Sequence, residues 1–376
     1  MRIAILGTRG IPNHYGGFEQ CAEYLALGLV KRGFEVLVYN SHNHPYQEST
    51  WKGIEIVHCF DPEYKWGTAG QFIYDLNCIL ELRKRKCDII LQLGYTSSSV
   101  WGMLLPRKNT VITTNMDGLE WKRTKFSGMV KSFLLFAEKL AVKYSNHLIS
   151  DSIGIQNYLT QKYGVTSTFI PYGAEPFDNP DEDALQAYNL SPYKYNMLIA
   201  RLEPENSIEV ILDGVVLSNS KYPFIVVGKH QTKYGEYLKA KFSKNENILF
   251  VGGIYDINKL NDLRYFSNLY FHGHTVGGTN PSLLEAMASS SLICANDNPF
   301  NKYILNEDAL YFLTAADVAD AISSTNKEDF IYQRILSRNL EKIRNEYSWD
   351  NIVNQYAAHF EHISVVNNHV TEPFSN

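Results

Sequence analysis

Short apolar runs and amphipathic stretches alternate along the first half of the chain. RIAILG, EVLVYN and CDIILQLG hold apolar runs, and NTVITTN and NHLISDS shorter ones, whereas GGFEQCAEYLALGLVKRG, between the first two, spaces its apolar residues for a helix. Unbroken apolar runs suit strands covered on both faces, the environment of a parallel sheet between helices. After Pro171 the rhythm restarts with YNMLIARL, IEVILDGVVLSN, PFIVVGK, NILFVGG and SNLYFHG. The pattern predicts two successive open α/β sheets. The polar stretch GAEPFDNPDEDALQAYNLSPYKY, residues 173–195, holds three prolines and several acids and reads as the join between them. The predicted organisation is a first domain over 1–172, a linker over 173–195, a second domain over 196–345 and a C-terminal helix and tail over 346–376. Within that last segment WDNIVNQYAAHFEHIS is amphipathic and is expected to pack back toward the first domain. Open α/β sheets bind ligands beyond the carboxyl ends of their strands. A cleft lined by the loops after Gly7, Asn115, Ala200, Gly228 and Gly273 is therefore expected.

Composition narrows the function classes. The length of 376 residues fits two domains better than one core. Apolar residues make up 45% and charged residues 20%, and there is no run of about 18 apolar residues of the kind that spans a bilayer. MRIAILGTRG enters a strand directly, without the charged, apolar and small-residue pattern of a signal peptide, so a cytoplasmic location is expected. The five cysteines include no CxxC pair, which speaks against a disulfide framework or a zinc site. A net charge of −5 gives no global field for nucleic acid, so any anion site must be local.

The segment FHGHTVGGTNPSLLEAMA, residues 271–288, is the most informative. Gly273, Gly277 and Gly278 permit tight backbone, and Asn280-Pro281 reads as an N-cap followed by proline at the first helical position. Free N–H groups at such a helix start suit an anionic ligand. Glu285, one turn in, has two readings: a ligand of ribose hydroxyls, or the acid of a capping box with Ser282. In the first half, Gly7 to Gly16-Gly17 occupies the place of a dinucleotide-binding loop, but its spacing is wrong for GxGxxG and Asn40-Ser41 stand where an acid is expected. The loop can still bring backbone amides to a diphosphate.

Arg201 closes the run before a helix and can fork onto phosphate oxygens, or pair locally with Glu203 or Glu205. Lys229, after Gly228, offers a second cation or a solvated side chain. Asp117, at the end of NTVITTNMDG, can hold a sugar hydroxyl or assist proton transfer, or simply make an Asp-Gly turn. His14 and His274 lie in the glycine loops, where local hydrogen bonding is the commoner use of histidine. Residues 121–136 interleave Lys122, Arg123, Lys125 and Lys131 with Phe126, Met129, Phe133 and Phe136, the pattern of a core helix with a solvated face or of a segment lying on an anionic bilayer.

Taken together, GGFE, SNHLISDSIGIQNYL with IPYGAE, ARLEPEN and GGTNPSLLEAMA resemble, in order and spacing, the family 4 retaining glycosyltransferases of the GT-B fold. DGLEWKR and HTVGGTNPSLLEAMA are similar to the subgroup that includes bacterial rhamnosyltransferases of polysaccharide assembly. The resemblance implies two Rossmann-like domains facing a central cleft, the first binding an acceptor and the second a nucleotide sugar. It implies that Glu285 binds ribose, Arg201 the diphosphate, and Gly16-Gly17 a phosphate from the first domain. Three positions depart from the family: Gly277 stands at the first glutamate of its paired E-x7-E motif, Asn206 at its lysine and Asp117 at its cleft histidine. Backbone amides of Gly277, Gly278, Thr279 and Asn280 are then expected to serve the donor, and a 6-deoxy sugar fits the missing glutamate.

The implied activity is metal-independent hexosyl transfer with retention, best guessed as L-rhamnose from dTDP-rhamnose to a glycan or lipid-linked glycan of surface polysaccharide, with Asp117 and Arg201 in the chemistry. No cofactor beyond the nucleotide-sugar co-substrate is implied, and no nucleic acid. Peripheral contact with the inner membrane face through residues 121–136 is the expected localising feature. A nucleotide-sugar epimerase of the same fold and a catalytically silent sugar-nucleotide-binding subunit are the alternatives.

Overall fold

The computed structural model describes residues 1–370 apart from Tyr15, Thr124 and Lys125, with side chains to Val365. Lys125 of the basic segment and the tail at 371–376 thus lie outside the described residues. The chain forms two compact units, one made of residues 1–121, 127–172 and 349–376, the other of 122–126 and 173–348.

The first unit is an eight-stranded sheet of β1 (Arg2–Leu6), β2 (Glu35–Ser41), β3 (Thr50–Trp51), β4 (Ile54–Cys59), β5 (Ile89–Leu93), β6 (Val111–Asn115), β7 (His147–Ser150) and β8 (Thr168–Phe169). Its order is β3-β4-β2-β1-β5-β6-β7-β8, parallel throughout except for the antiparallel β3–β4 pair at the edge. Every residue of β5 and β6 is buried, Gln92, Thr113, Thr114 and Asn115 among them, as strands covered on both faces require. β4 alternates instead, with Ile54 and Ile56 buried and Glu55 and Val57 partly exposed, so it lacks the continuous run that marks the central strands. One core layer gathers Leu37, Tyr74, Ile79 and Ile90, and another Met116, Leu148, Ile155 and Leu159.

The helix Trp349–Val370 completes this unit by packing on the helix Gly17–Lys31. Trp349 stacks on Tyr24 with ring centroids 4.7 Å apart, and Val353 fills the space beside Gly28, where a Cβ would meet it at 2.6 Å. The helix also reaches the sheet, since Asn115 Nδ2 donates to Tyr356 Oη at 3.1 Å and His359 Nε2 lies 3.0 Å from Thr113 Oγ1.

The second unit is a six-stranded parallel sheet of β9 (Asn196–Ile199), β10 (Phe224–Val227), β11 (Ile248–Gly252), β12 (Leu269–His272), β13 (Ile293–Asn296) and β14 (Leu310–Phe312), in the order β11-β10-β9-β12-β13-β14. Leu198, Phe224, Val226, Phe271 and Phe312 form one face of its core, with Ile208, Ile211 and Val215 of the helix Ile208–Ser218 packed on them. Residues 173–195 are part of this unit: Leu185 is buried, and Asp181 N donates to Asp262 Oδ1 at 2.8 Å.

Candidate functional site

In the second unit β10, β9 and β12 are neighbours and run parallel, so the loops that leave their carboxyl ends share one edge of the sheet. Those loops carry Lys229, Arg201 and the turn from Gly273 to Asn280. Their backbones approach so closely that glycine is required twice. A Cβ on Gly228 would lie 2.1 Å from Ala200 O, and one on Gly273 would lie 2.0 Å from Asn206 O, both inside any real contact.

Asn206 ties two of these loops together. It is buried, its Nδ2 donates to Arg201 O at 2.7 Å, and its Oδ1 faces His274 Nδ1 at 2.9 Å. Because the amide nitrogen is already committed to a carbonyl, the oxygen must accept from histidine, which assigns the proton of His274 to Nδ1. Burial holds His274 down at about 4, with Arg123 and Arg201 acting in the same direction and the Val276 carbonyl and Glu203 against it. It is therefore neutral at pH 7. Glu205 O strengthens the tie by accepting from both Thr275 N at 3.1 Å and Thr275 Oγ1 at 2.8 Å. Asn206 thus does structural work at a position where the resembled family carries a cation.

Arg201 is exposed and makes no ion pair among the described residues, so the local pairing with Glu203 or Glu205 does not form. Glu203 instead lies 4.0 Å from Arg123. Lys229 is exposed as well, with Nζ 5.7 Å from the ring centroid of Tyr255.

The turn after β12 is built as its sequence suggests. Gly277 has φ of +132°, and a Cβ there would lie 3.0 Å from His274 Nε2, so both backbone and neighbour select glycine. Asn280 caps the helix Pro281–Ala288, its Oδ1 accepting from Ser282 N at 2.9 Å, with Pro281 at the first position. Because Asn280 is the cap, the box between Ser282 and Glu285 does not form. The Glu285 carboxylate is held by Arg264 NH2 at 2.6 Å. Arg264 was not singled out from sequence.

In the first unit Gly16 caps the helix Gly17–Lys31 without a side-chain bond. Two amides of the preceding loop are already engaged, Arg9 N by Glu19 Oε1 at 2.9 Å and Asn13 N by Glu23 Oε2 at 2.5 Å. Asp117 follows β6, half-buried, and Gly118 after it has φ of +56°, as an Asp-Gly turn requires. Burial pushes the Cys21 thiol up to about 12, and the charges of Asp117 and Asp151 add to the shift. Asp117 therefore stands near the helix that follows Gly16-Gly17.

A second cluster on this unit escaped the sequence reading. Arg9 Nε and NH2 bond the two Glu63 oxygens at 2.9 and 2.7 Å, and Ser97 Oγ donates to Asp75 Oδ2 at 2.5 Å. Burial raises Asp75 to about 7, partly countered by the Ser97 bond. A lone aspartate within TAGQFIYDLNCILEL gives no local sign of this. His14 packs edge-on against His44 and joins no ligand group, and among the described residues no set of three or more His, Cys, Asp or Glu is placed to hold a metal.

The helix Gly128–Tyr144 buries Leu134, Ala137 and Ala141, yet leaves Met129 85% and Phe136 53% exposed. Its buried Glu138 accepts from Tyr158 Oη and Tyr163 Oη, both at 2.7 Å, and from Lys162 Nζ at 2.9 Å. Among the described residues no helix is long and apolar enough to cross a membrane.

A family described as a domain of unknown function (DUF1972) matches residues 1–175. No curated protein matches the chain. Among solved structures, the chain is similar to a sucrose-phosphate synthase from Thermosynechococcus elongatus, with 18% identity and a TM-score of 0.77 over 97% of this chain and 99% of that one. It is similar to the HepE protein of Anabaena in complex with UDP and glucose, with 17% identity and a TM-score of 0.75 over 96% and 100%. It also resembles a trehalose-phosphate synthase from Burkholderia xenovorans in complex with glucose-6-phosphate, with 11% identity and a TM-score of 0.71 over 96% and 100%. At these identities the likeness establishes the fold, which is α/β and of the GT-B type.

Proposed function

We propose that the protein is a retaining, metal-independent glycosyltransferase of the family 4 rhamnosyltransferase-like subgroup. It transfers a sugar, L-rhamnose from dTDP-rhamnose, to a glycan or lipid-linked glycan of surface polysaccharide. The observation that carries the reading is the edge shared by the β10, β9 and β12 loops, which collects Lys229, Arg201, the Asn280-capped helix start and Glu285 on one unit. The HepE structure, of the same fold, holds UDP and glucose.

The second unit binds the donor and the first binds the acceptor. Glu285 takes the nucleoside sugar, while Arg201, Lys229 and the amides from Gly277 to Asn280 receive the diphosphate. As the anomeric carbon–oxygen bond breaks, charge grows on the leaving phosphate oxygen, and fixed donors lower the barrier there. The acceptor hydroxyl attacks from the same face, and its proton passes to the departing phosphate. On the first unit, Gly16-Gly17 serve as a phosphate loop and Asp117 orients donor or acceptor. The absence of a side chain at Gly277, whose place His274 closes, suits a donor with fewer hydroxyls to grip.

Asp117→Asn should cut turnover at least tenfold while leaving donor affinity within about threefold, since it removes a charge that acts on orientation rather than on binding. Steady-state rates with donor titration decide this, and unchanged turnover takes Asp117 out of the chemistry.

Incubation with a panel of nucleotide sugars, with and without anionic vesicles carrying lipid-linked acceptor, tests the whole reading. Acceptor-dependent release of nucleotide is expected. An isomerised donor without acceptor means an epimerase, and binding without turnover means a silent subunit. Sedimentation with the vesicles reads the membrane contact proposed for Met129, Phe136 and the flanking Lys122 and Arg123 at the cytoplasmic face.

A further inference from the structure

Glu285 has one oxygen committed within the protein itself. Arg264, from the helix Ile257–Phe266, has a side chain only 1% exposed, and its NH2 donates to Glu285 Oε2 at 2.6 Å and to Ser282 Oγ at 3.0 Å. Its NH1 donates to Asn261 Oδ1 at 2.8 Å, and its Cζ lies 5.9 Å from the Tyr270 ring centroid. Tyr270 Oη and Ser282 Oγ share a further bond of 2.9 Å. Ring, hydroxyl and amide therefore fix the guanidinium.

Such a pair is a poor way to join two helices. Burying a guanidinium forfeits hydration, a cost that apolar side chains at the same contact would avoid, and here Nε is left buried without an acceptor. What the arrangement does achieve is to fix a carboxylate that reaches the surface. The Glu285 side chain is 19% exposed, and among the described residues Oε1 receives no donor.

A carboxylate grips a vicinal diol with both oxygens, one for each hydroxyl. We infer that Arg264 is the positioning residue of the nucleoside contact: it turns Oε2 inward and presents Oε1 alone, so that Glu285 holds one pentose hydroxyl and gains little from a second. The inference rests on the reading of Glu285 as a nucleoside ligand. Its consequence is that 2′-deoxyribonucleotides bind as well as ribonucleotides, so a donor built on a deoxynucleoside diphosphate meets no penalty at this site.

Calorimetric titration of the full chain with UDP and 2′-deoxy-UDP, which differ only at the 2′-hydroxyl, tests this. The two dissociation constants should agree within about threefold. In Arg264→Gln, Oε2 is released and UDP should gain on 2′-deoxy-UDP by about tenfold, the factor carried by one hydrogen bond to a charged group. A merely structural arginine would weaken both nucleotides alike and leave their ratio fixed. A preference for UDP of tenfold or more in the unaltered protein overturns the inference and leaves the nucleotide reading standing. Where neither uridine nucleotide binds, dTDP and its 2′-hydroxylated counterpart, ribothymidine diphosphate, are compared by the same criteria, and failure of that pair too overturns the reading and the inference together. If Arg264→Gln does not fold, the unaltered protein still decides, and Glu285→Ala adds a second measure: equal losses for the two nucleotides support the inference, and a loss at least tenfold larger for UDP overturns it.

Discussion

Lowering the pH from 7 to 5 should cost the second unit roughly 4 kcal/mol of stability, about 2 kcal/mol for each of two buried histidines. His272 ends β12 within the core, and burial, with His274 and Arg264 adding to it, lowers it to about 3. His274 is lowered to about 4, again mainly by burial. In the unfolded chain both titrate near the ordinary value of about 6.5. Folded values below unfolded ones mean that the unfolded chain takes up protons first. The full contribution is therefore present above about pH 6.5 and drains away as the pH falls toward 4 and then 3.

The first unit should fall less. His44, His147 and His359 are lowered as well, but Asp75, raised to about 7, works against them, because its folded form binds a proton over a range where the unfolded carboxylate does not. All five tryptophans, Trp51, Trp66, Trp101, Trp121 and Trp349, belong to the first unit, so their fluorescence follows that unit alone. In urea titrations at the two pH values, amide exchange at β12 should shift to lower denaturant further than tryptophan fluorescence does. A β12 midpoint that is unmoved between pH 7 and pH 5 would sink the prediction.

The largest effect on activity is expected at Arg201. Arg201→Ala should lower turnover by about 100-fold to 1,000-fold, the usual result of removing one preorganised donor from a site of developing negative charge. The guanidinium is exposed and makes no ion pair among the described residues, while its backbone is fixed by the Asn206 bond to its carbonyl. On the proposed reading, Asn206 brings no charge of its own, so more of the diphosphate would rest on Arg201. Arg201→Lys should recover only part of the loss, since an ammonium cannot fork onto two oxygens. Initial rates at saturating donor measure it, and a change under threefold would remove Arg201 from leaving-group stabilisation.

Legibility in the sequence followed how local each cause is. β1, β5, β10 and β12 stand out because burial on both faces favours mainly apolar runs, and β6 through its β-branched VITT. The Asn280-Pro281 helix start is legible because cap and proline act within one turn. β4 was not singled out, because its alternation blurs into the neighbouring loops, and β14 has only three residues. Of the site, the glycine turn could be read, but not what surrounds it. Arg264 meets Glu285 across 21 positions and His274 meets Asn206 across 68, so neither pairing leaves a mark in its own segment. An arginine in NDLRYF looks like a solvated side chain until the fold turns it inward.

The helix Trp349–Val370 has a consequence for biosynthesis. It belongs to the first unit but follows all of the second in the chain, so a ribosome delivers it after residues 173–348 have emerged. Until then Tyr24 lacks its stacking partner, Gly28 faces water in place of Val353, and Asn115 has no tyrosine hydroxyl to bond. The second unit, nearly continuous in sequence, can complete its sheet during translation, whereas the first must keep an open apolar face on the helix Gly17–Lys31 until Trp349–Val370 emerges. The order in which the units are completed is thus the reverse of the order in which they are begun, and the helix Trp349–Val370 seals the fold begun first.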